Sequence, residues 1–181
     1  MPVDIKYPKV ICSRCGNCCS IPIVPITRKD LARLVKTTGK PAKDIVRFCS
    51  ISEMEYDAEA GLWIMFKSGK RAMVLRKRKE KCIFQAKDRV CSIYAARPQT
   101  CRTFPYSVEF EDYWDRDVSK IKRNKILDCN AVKCSEIDID TLVDDAHKEN
   151  REDKEYYRFV KQWNESEKKG GTADFLKFIG F

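Results

Sequence analysis

Cys12-Ser-Arg-Cys15-Gly-Asn-Cys18-Cys19 places four thiols within eight residues near the start of the chain. The C-x2-C-x2-C spacing brings three thiolates around one small volume, the way bacterial ferredoxins present three ligands to an iron–sulfur cluster. Gly16 supplies the backbone freedom and close N–H approach that a loop folded around a cluster needs. Cys19 directly follows Cys18. Adjacent side chains diverge, so the pair suits two metals, or two irons of one large cluster, better than one small site. The stretch reads as a loop built to hold metal through sulfur, with the rest of the fold arranged behind it.

Six further cysteines lie at 49, 82, 91, 101, 129 and 134. A disulfide framework is the alternative, and it predicts a secreted chain. The first ten residues, Met-Pro-Val-Asp-Ile-Lys-Tyr-Pro-Lys-Val, hold no apolar core of a leader and no small-residue cleavage site. Ten cysteines in 181 residues is also sparse for a disulfide scaffold. Metal ligation in a reducing, cytoplasmic setting is the expectation. No run approaches the roughly 20 apolar residues of a membrane span, and Ile21–Ile26 is broken by Pro22 and Pro25. No membrane partner is expected.

A chain of 181 residues can bury a core without help from a metal, so the metal reads as functional. The formal charge is +9, from 36 Lys and Arg against 27 Asp and Glu, with every cysteine counted neutral. Ligand thiolates would offset part of this excess, and the remainder suits an anionic partner.

The predicted fold class is α+β: one cysteine-rich domain with a small antiparallel meander, short helices and a long C-terminal helix. Residues 1–137 form the cysteine-cluster part and 138–181 a helical extension of the same unit. Thr27 reads as the N-cap of a helix over Arg28–Lys36, with Asp30 placed to suit its dipole and Gly39 with Pro41 ending it. A second short helix is predicted over Ala42–Phe48. Met54–Tyr56, Leu62–Phe66 and Arg71–Leu75 read as strands. Leu62–Phe66, apolar on both faces, is the predicted central one. Val108–Phe110 reads as a strand, and a charged helix is expected from about Asp140 to Glu165, followed by an amphipathic end after Gly170-Gly171.

The second cysteine block runs Cys82-Ile-Phe-Gln, then Val90-Cys91-Ser-Ile-Tyr-Ala-Ala-Arg97-Pro98-Gln-Thr-Cys101-Arg102-Thr-Phe104-Pro105. Together with the leading CxxCxxCC, it resembles the YkgJ-type cysteine cluster proteins, a zinc- or iron-chelating family named for that motif. The resemblance runs from Cys12 to about Tyr106 and weakly to Cys134. It implies metal ligation by Cys12, Cys15, Cys18, Cys19, Cys82, Cys91 and Cys101, with an eighth ligand from Cys129 or Cys134. Cys49 matches nothing in the pattern and reads as a small buried hydrophobe.

Zinc and iron–sulfur clusters both accept thiolates. One dense block plus single distant cysteines, with a lone histidine at 147 in the charged helix, favours iron–sulfur over zinc. Eight thiolates suit two [4Fe–4S] clusters, one cubane plus a zinc, or one larger fused cluster. Pro98 is a good first helical residue, so the turn through Cys101 is expected to aim its N–H groups at a sulfur. Arg97 and Arg102 bracket that turn and are expected to balance cluster charge or hold an anionic ligand.

Three function classes follow. One is an iron–sulfur redox or cluster-carrying protein serving a partner enzyme or redox protein. Another is an iron–sulfur-dependent enzyme, with methyl transfer implied by the same domain in flagellin lysine N-methylases. The third is a zinc-binding module docking RNA or an acidic partner through the basic segment 76–81. No Gly-rich nucleotide loop, hydrolase triad or two-histidine metalloprotease helix is present, so no catalytic residue is assigned.

Overall fold

The computed structural model describes residues 10–11, 15–21, 23–54, 60–110, 118–123, 132–133, 139–167 and 170–181. Cys12, Cys129, Cys134 and the predicted strand end at 55–56 lie outside these residues.

The first helix, α1 (Arg28–Thr38), forms where its signals place it. The Asp30 N–H donates to Thr27 Oγ1 at 3.1 Å, and the Thr27 N–H donates back to Asp30 Oδ2 at 2.9 Å, a reciprocal cap for the orphan donors of the first turn. Gly39, at φ +65°, closes the other end by donating to the Val35 carbonyl at 2.9 Å. Leu31 and Leu34 are fully buried.

The next helix, α2 (Ala42–Ile45), is shorter than the predicted 42–48, because the chain turns into strand β2 (Val46–Ser50). Alternation decides here. Val46 enters the main core, whereas Cys49 points to a second cluster on the opposite face. The central strand is β4 (Gly69–Leu75), not the segment at 62–66. It pairs antiparallel with β2 (Phe48 opposite Met73) and with β3 (Ile64–Phe66; Met65 opposite Lys70). Met73 and Leu75 face the main core while Ala72 and Val74 face the second cluster, so both faces of β4 are covered.

The edge strand β3 is closed by the long helix α4 (Ile139–Glu165). Asn164 there behaves as a piece of neighbouring strand: its Oδ1 accepts from the Met65 N–H at 2.7 Å, and its Nδ2 donates to the Trp63 carbonyl at 2.9 Å. Trp163 Nε1 adds a bond to the Met65 carbonyl at 3.0 Å. These bonds satisfy backbone groups that an open edge would leave to water or to another chain. The polar stretch in the middle of α4 does not break the helix, because it docks on α1: Arg33 pairs with Glu152 at 2.7 Å and Lys29 with Glu155 at 2.6 Å. The last helix, α5 (Thr172–Phe178), sets Phe175 edge-on to Phe66 and Trp163, with ring centroids 6.0 and 5.4 Å apart.

The remaining strands are short. β1 (Val10–Ile11) pairs with β9 (Val132–Lys133), β5 (Lys77–Arg78) with β6 (Lys81–Cys82), and β7 (Tyr106–Phe110) with β8 (Val118–Arg123). The short helix α3 (Gln99–Thr103) packs on α4. The architecture is therefore mixed α and β, with small antiparallel sheets and a long C-terminal helix. No helix among the described residues is long and apolar enough to cross a membrane.

Candidate metal centre

Three local structures deliver the thiols. Gly16, at φ +75°, starts a 3-10 turn over Asn17–Ser20 that carries Cys18 and Cys19. Glycine is needed there twice over. The left-handed backbone disfavours a side chain, and a Cβ would stand 2.1 Å from the Arg89 carbonyl oxygen. Arg89 belongs to the second cysteine block, so Gly16 is the point where the two blocks touch. Gln85 Nε2 donates to the Gly16 carbonyl at 3.0 Å, and Arg89 donates to Asn17 Oδ1 at 2.6 Å.

The hairpin β5–β6 delivers Cys82. Its two-residue turn, Lys79-Glu80, has φ +49° and +60°, the left-handed pair that a tight antiparallel hairpin requires. The basic run is thus a hairpin whose residues have different surroundings. Arg76 donates to the Lys43 and Val46 carbonyls at 2.9 and 2.8 Å, and Lys77 sits opposite Cys82. Arg78, Lys79 and Lys81 are exposed. Beyond Cys82, Ser92 binds the Phe84 carbonyl through both N–H and Oγ at 2.9 Å, which returns Cys91 to the neighbourhood of Cys82.

Cys101 rides on α3, and α3 is held from two sides. The Gln99 N–H donates to buried Asp30 Oδ1 at 3.0 Å. Gln99 Nε2 reaches the Asp145 carbonyl at 3.1 Å, and Thr100 Oγ1 donates to Glu149 at 2.8 Å. The first free N–H of this turn therefore goes to a carboxylate of α1. That corrects the expectation that it points at sulfur. An N–H to sulfur bond does occur elsewhere, from Phe84 to Cys82 Sγ at 3.5 Å.

Cys15, Cys18, Cys19, Cys82, Cys91 and Cys101 line one cavity of about 60 Å³, and among the described residues no histidine or carboxylate lines it with them. Lys77 enters from the hairpin and Arg97 from the far wall, beside the Tyr94 ring, Phe104 and Pro105. The Phe104–Pro105 peptide is cis. Arg97 stacks on Tyr94 with its guanidinium 3.7 Å from the ring centroid and donates to the Tyr94 carbonyl at 3.0 Å. Arg102, by contrast, donates to the carbonyls of Ala95 and Arg97 and closes the turn at Tyr94–Ala96, while Arg97 is the arginine in the cavity wall. Cys49 stands apart in the second cluster, fully buried, its Sγ 3.0 Å from Met54 Sδ.

The thiols bond to each other across the two blocks. Cys18 donates to Cys19, which raises the Cys18 pKa together with burial and the nearby Cys19 and Cys15. Cys19 donates onward to Cys82. The Cys18 bond works to lower Cys19, but the Cys82 bond, burial and the charges of Cys82 and Cys91 push it up to about 12. Cys82, as the acceptor of the Cys19 bond, is lowered. Burial pushes Cys101 up, followed by repulsion from Cys18. Metal-free, the cavity therefore favours protons on sulfur. In keeping with this, among the described residues no group of three Cys, His, Asp or Glu stands ready-made around a single ion. The donor set itself fits a thiolate-bound metal. Its sulfurs would lose their protons on ligation, and Lys77 and Arg97 stand where negative charge would gather.

Sequence reading did not single out Gln85 or Asp30 as parts of this centre, and it held Lys77 only within the basic run 76–81, as one candidate for balancing the charge of the site. Only the register opposite Cys82 and contacts 69 residues apart reveal them.

The chain is 32% identical over 99 residues to an uncharacterized protein of Methanocaldococcus jannaschii; the match covers 54% of this chain and 45% of that protein. This chain thus spans less than half the length of that relative. No solved structure matches it. Residues 11–134 match the family described as "CxxCxxCC: putative zinc- or iron-chelating domain", and that stretch holds both cysteine blocks and every wall of the sulfur-lined cavity, so the chain belongs to this family.

Proposed function

We propose that the chain holds an iron–sulfur centre in the sulfur-lined cavity and acts as a redox or cluster-carrying protein serving another enzyme. One observation carries the reading: six cysteines from two distant blocks line one cavity that, among the described residues, no histidine or carboxylate lines. A zinc site needs four ligands, often including histidine. Six thiols around one space exceed that need and suit a polynuclear centre. The volume agrees, since about 60 Å³ is several times the roughly 10–15 Å³ that one water-sized species occupies on this measure. Lys77 and Arg97 would offset the net negative charge of a thiolate-bound cluster, and the Phe84 N–H would bond a ligand sulfur.

By the family resemblance, Cys12 and one of Cys129 and Cys134 join the six as ligands. Protein isolated without oxygen should contain iron and acid-labile sulfide in similar amounts. Cys12→Ser should deplete both, and so should serine substitution at one of Cys129 and Cys134. Stoichiometric zinc without sulfide would replace this reading with a structural zinc module.

A further inference from the structure

A second cavity, of about 150 Å³, shares α3 with the first: Pro98 and Cys101 line the sulfur cavity, and Thr100 between them lines the other. Its chemistry is different. Helix α4 contributes Glu149, Asp153 and Tyr156, spaced to fall on one face. Facing them are Ile26, Leu62 and Met73, all buried, with Tyr157 at the side. No lysine, arginine or histidine among the described residues lines the space. Among the described residues neither Glu149 nor Asp153 forms an ion pair. Both carboxyls are raised in pKa, first by burial and then, for Asp153, by the charge of Glu149.

Tyr156 is the independent sign that something binds. It is 3% exposed, and its hydroxyl has no hydrogen-bond partner among the described residues. A buried hydroxyl left without a partner is destabilising, and a ligand that bonds it would recover that loss. An anion is excluded by the two carboxyls. A metal ion is poorly served, because half the wall is hydrocarbon and no group of three ligating side chains is present among the described residues. What remains is a cation with an apolar body.

We propose that this cavity binds a primary alkylammonium, its three N–H groups donating to Glu149, Asp153 and the Tyr156 hydroxyl oxygen while its alkyl chain lies on Ile26, Leu62 and Met73. Three acceptors match three donors, and the tyrosine rings suit a cation. A cavity of about 150 Å³ holds a ligand the size of benzene, so the chain length is about four or five carbons. The proposal does not depend on the identity of the metal in the neighbouring site.

The test is calorimetric titration of the full chain with n-butylammonium chloride, with n-butanol as the uncharged control and Mg²⁺ as the metal control. The solution is held at about pH 8, above the Asp153 value of about 7. Saturable binding of the amine is expected, with butanol weaker by about tenfold or more. Asp153→Asn should lose about tenfold in affinity, and Tyr156→Phe about threefold or more. Tyr156→Phe removes an unpartnered hydroxyl, so it keeps the fold and leaves the test intact if Asp153→Asn proves unstable. Nα-acetyl-lysine methylamide separates the sources: binding as tight as butylammonium points to a protein lysine, and binding of the free amine alone points to a small metabolite. Butanol binding as tightly as the amine, unchanged affinity in both variants, or Mg²⁺ binding in place of the amine would overturn the proposal.

Discussion

Asp30 Oδ1 accepts the Gln99 N–H at 3.0 Å, so one buried carboxylate caps α1 and also anchors the short helix that carries Cys101. It also receives bonds from Thr27 N–H and Oγ1, at 2.9 and 3.0 Å, and pairs with Arg33. Asparagine keeps an oxygen for the cap and Arg33 keeps Glu152, so the loss comes from weakened bonds at a buried site and is about 1–3 kcal/mol. Asp30→Asn should lower stability by roughly that amount in denaturant titration and loosen metal held by Cys101. A loss below about 1 kcal/mol would show that Asp30 is not the anchor.

Gly16→Ala should be among the most damaging single changes. The added Cβ meets the Arg89 backbone at 2.1 Å, and the residue sits at φ +75°. Either Gly16 or Arg89 must move, and the two cysteine blocks separate. The measurable result is loss of most bound metal, with unfolding easier by about 2 kcal/mol or more. Cys49→Ala makes the contrast, because Cys49 lies in the second cluster. It should retain full metal content and lose about 1–2 kcal/mol for the shrunken core contact.

The charge of the cavity wall gives an electrical prediction. With a redox cluster in place, Lys77→Gln removes a cation that faces Cys82 across the hairpin. Less positive charge disfavours the reduced state, so the reduction potential should fall, by about a few tens of millivolts. Lys77→Arg should restore it. Lys79→Gln, at the exposed turn, should leave the potential unchanged.

Proton counting gives two pH dependences. Cys18, Cys19 and Cys101 are raised above the ordinary thiol value and must lose protons to bind metal. Metal affinity should therefore rise with pH through the neutral range, with proton release on binding. Asp153 behaves in the opposite sense for stability. Its folded pKa is raised from 3.8 to about 7, by burial first and then by Glu149, Asp30 and Glu152. Between those values the folded chain binds a proton that the unfolded chain has lost, so stability falls as pH rises from about 4 to 7. Asp153→Asn should flatten that slope in metal-free protein.

Much of this was legible in the chain where the signal is local. The Thr27 cap, the Gly39 stop and the charged helix from Ile139 formed as their residues dictate. The strand order was not legible. Leu62–Phe66 is apolar on both faces because α4 covers its edge and a second cluster lies under it, not because it is central. Val46–Phe48 carries residues that a helix or a strand accepts, and pairing with β4 decides between them. The two cysteine blocks could be named from their spacing. The contacts that join them, Gln85 to Gly16 and Asp30 to Gln99, are each 69 residues apart in sequence and leave no local pattern.

The most direct measurement is iron, zinc and acid-labile sulfide analysis, with EPR of the dithionite-reduced protein, on chain expressed and purified without oxygen. A brown protein with iron and sulfide in similar amounts is expected, both depleted when Cys82 or Cys101 is replaced by serine. Colourless protein with one equivalent of zinc and no sulfide would contradict that expectation.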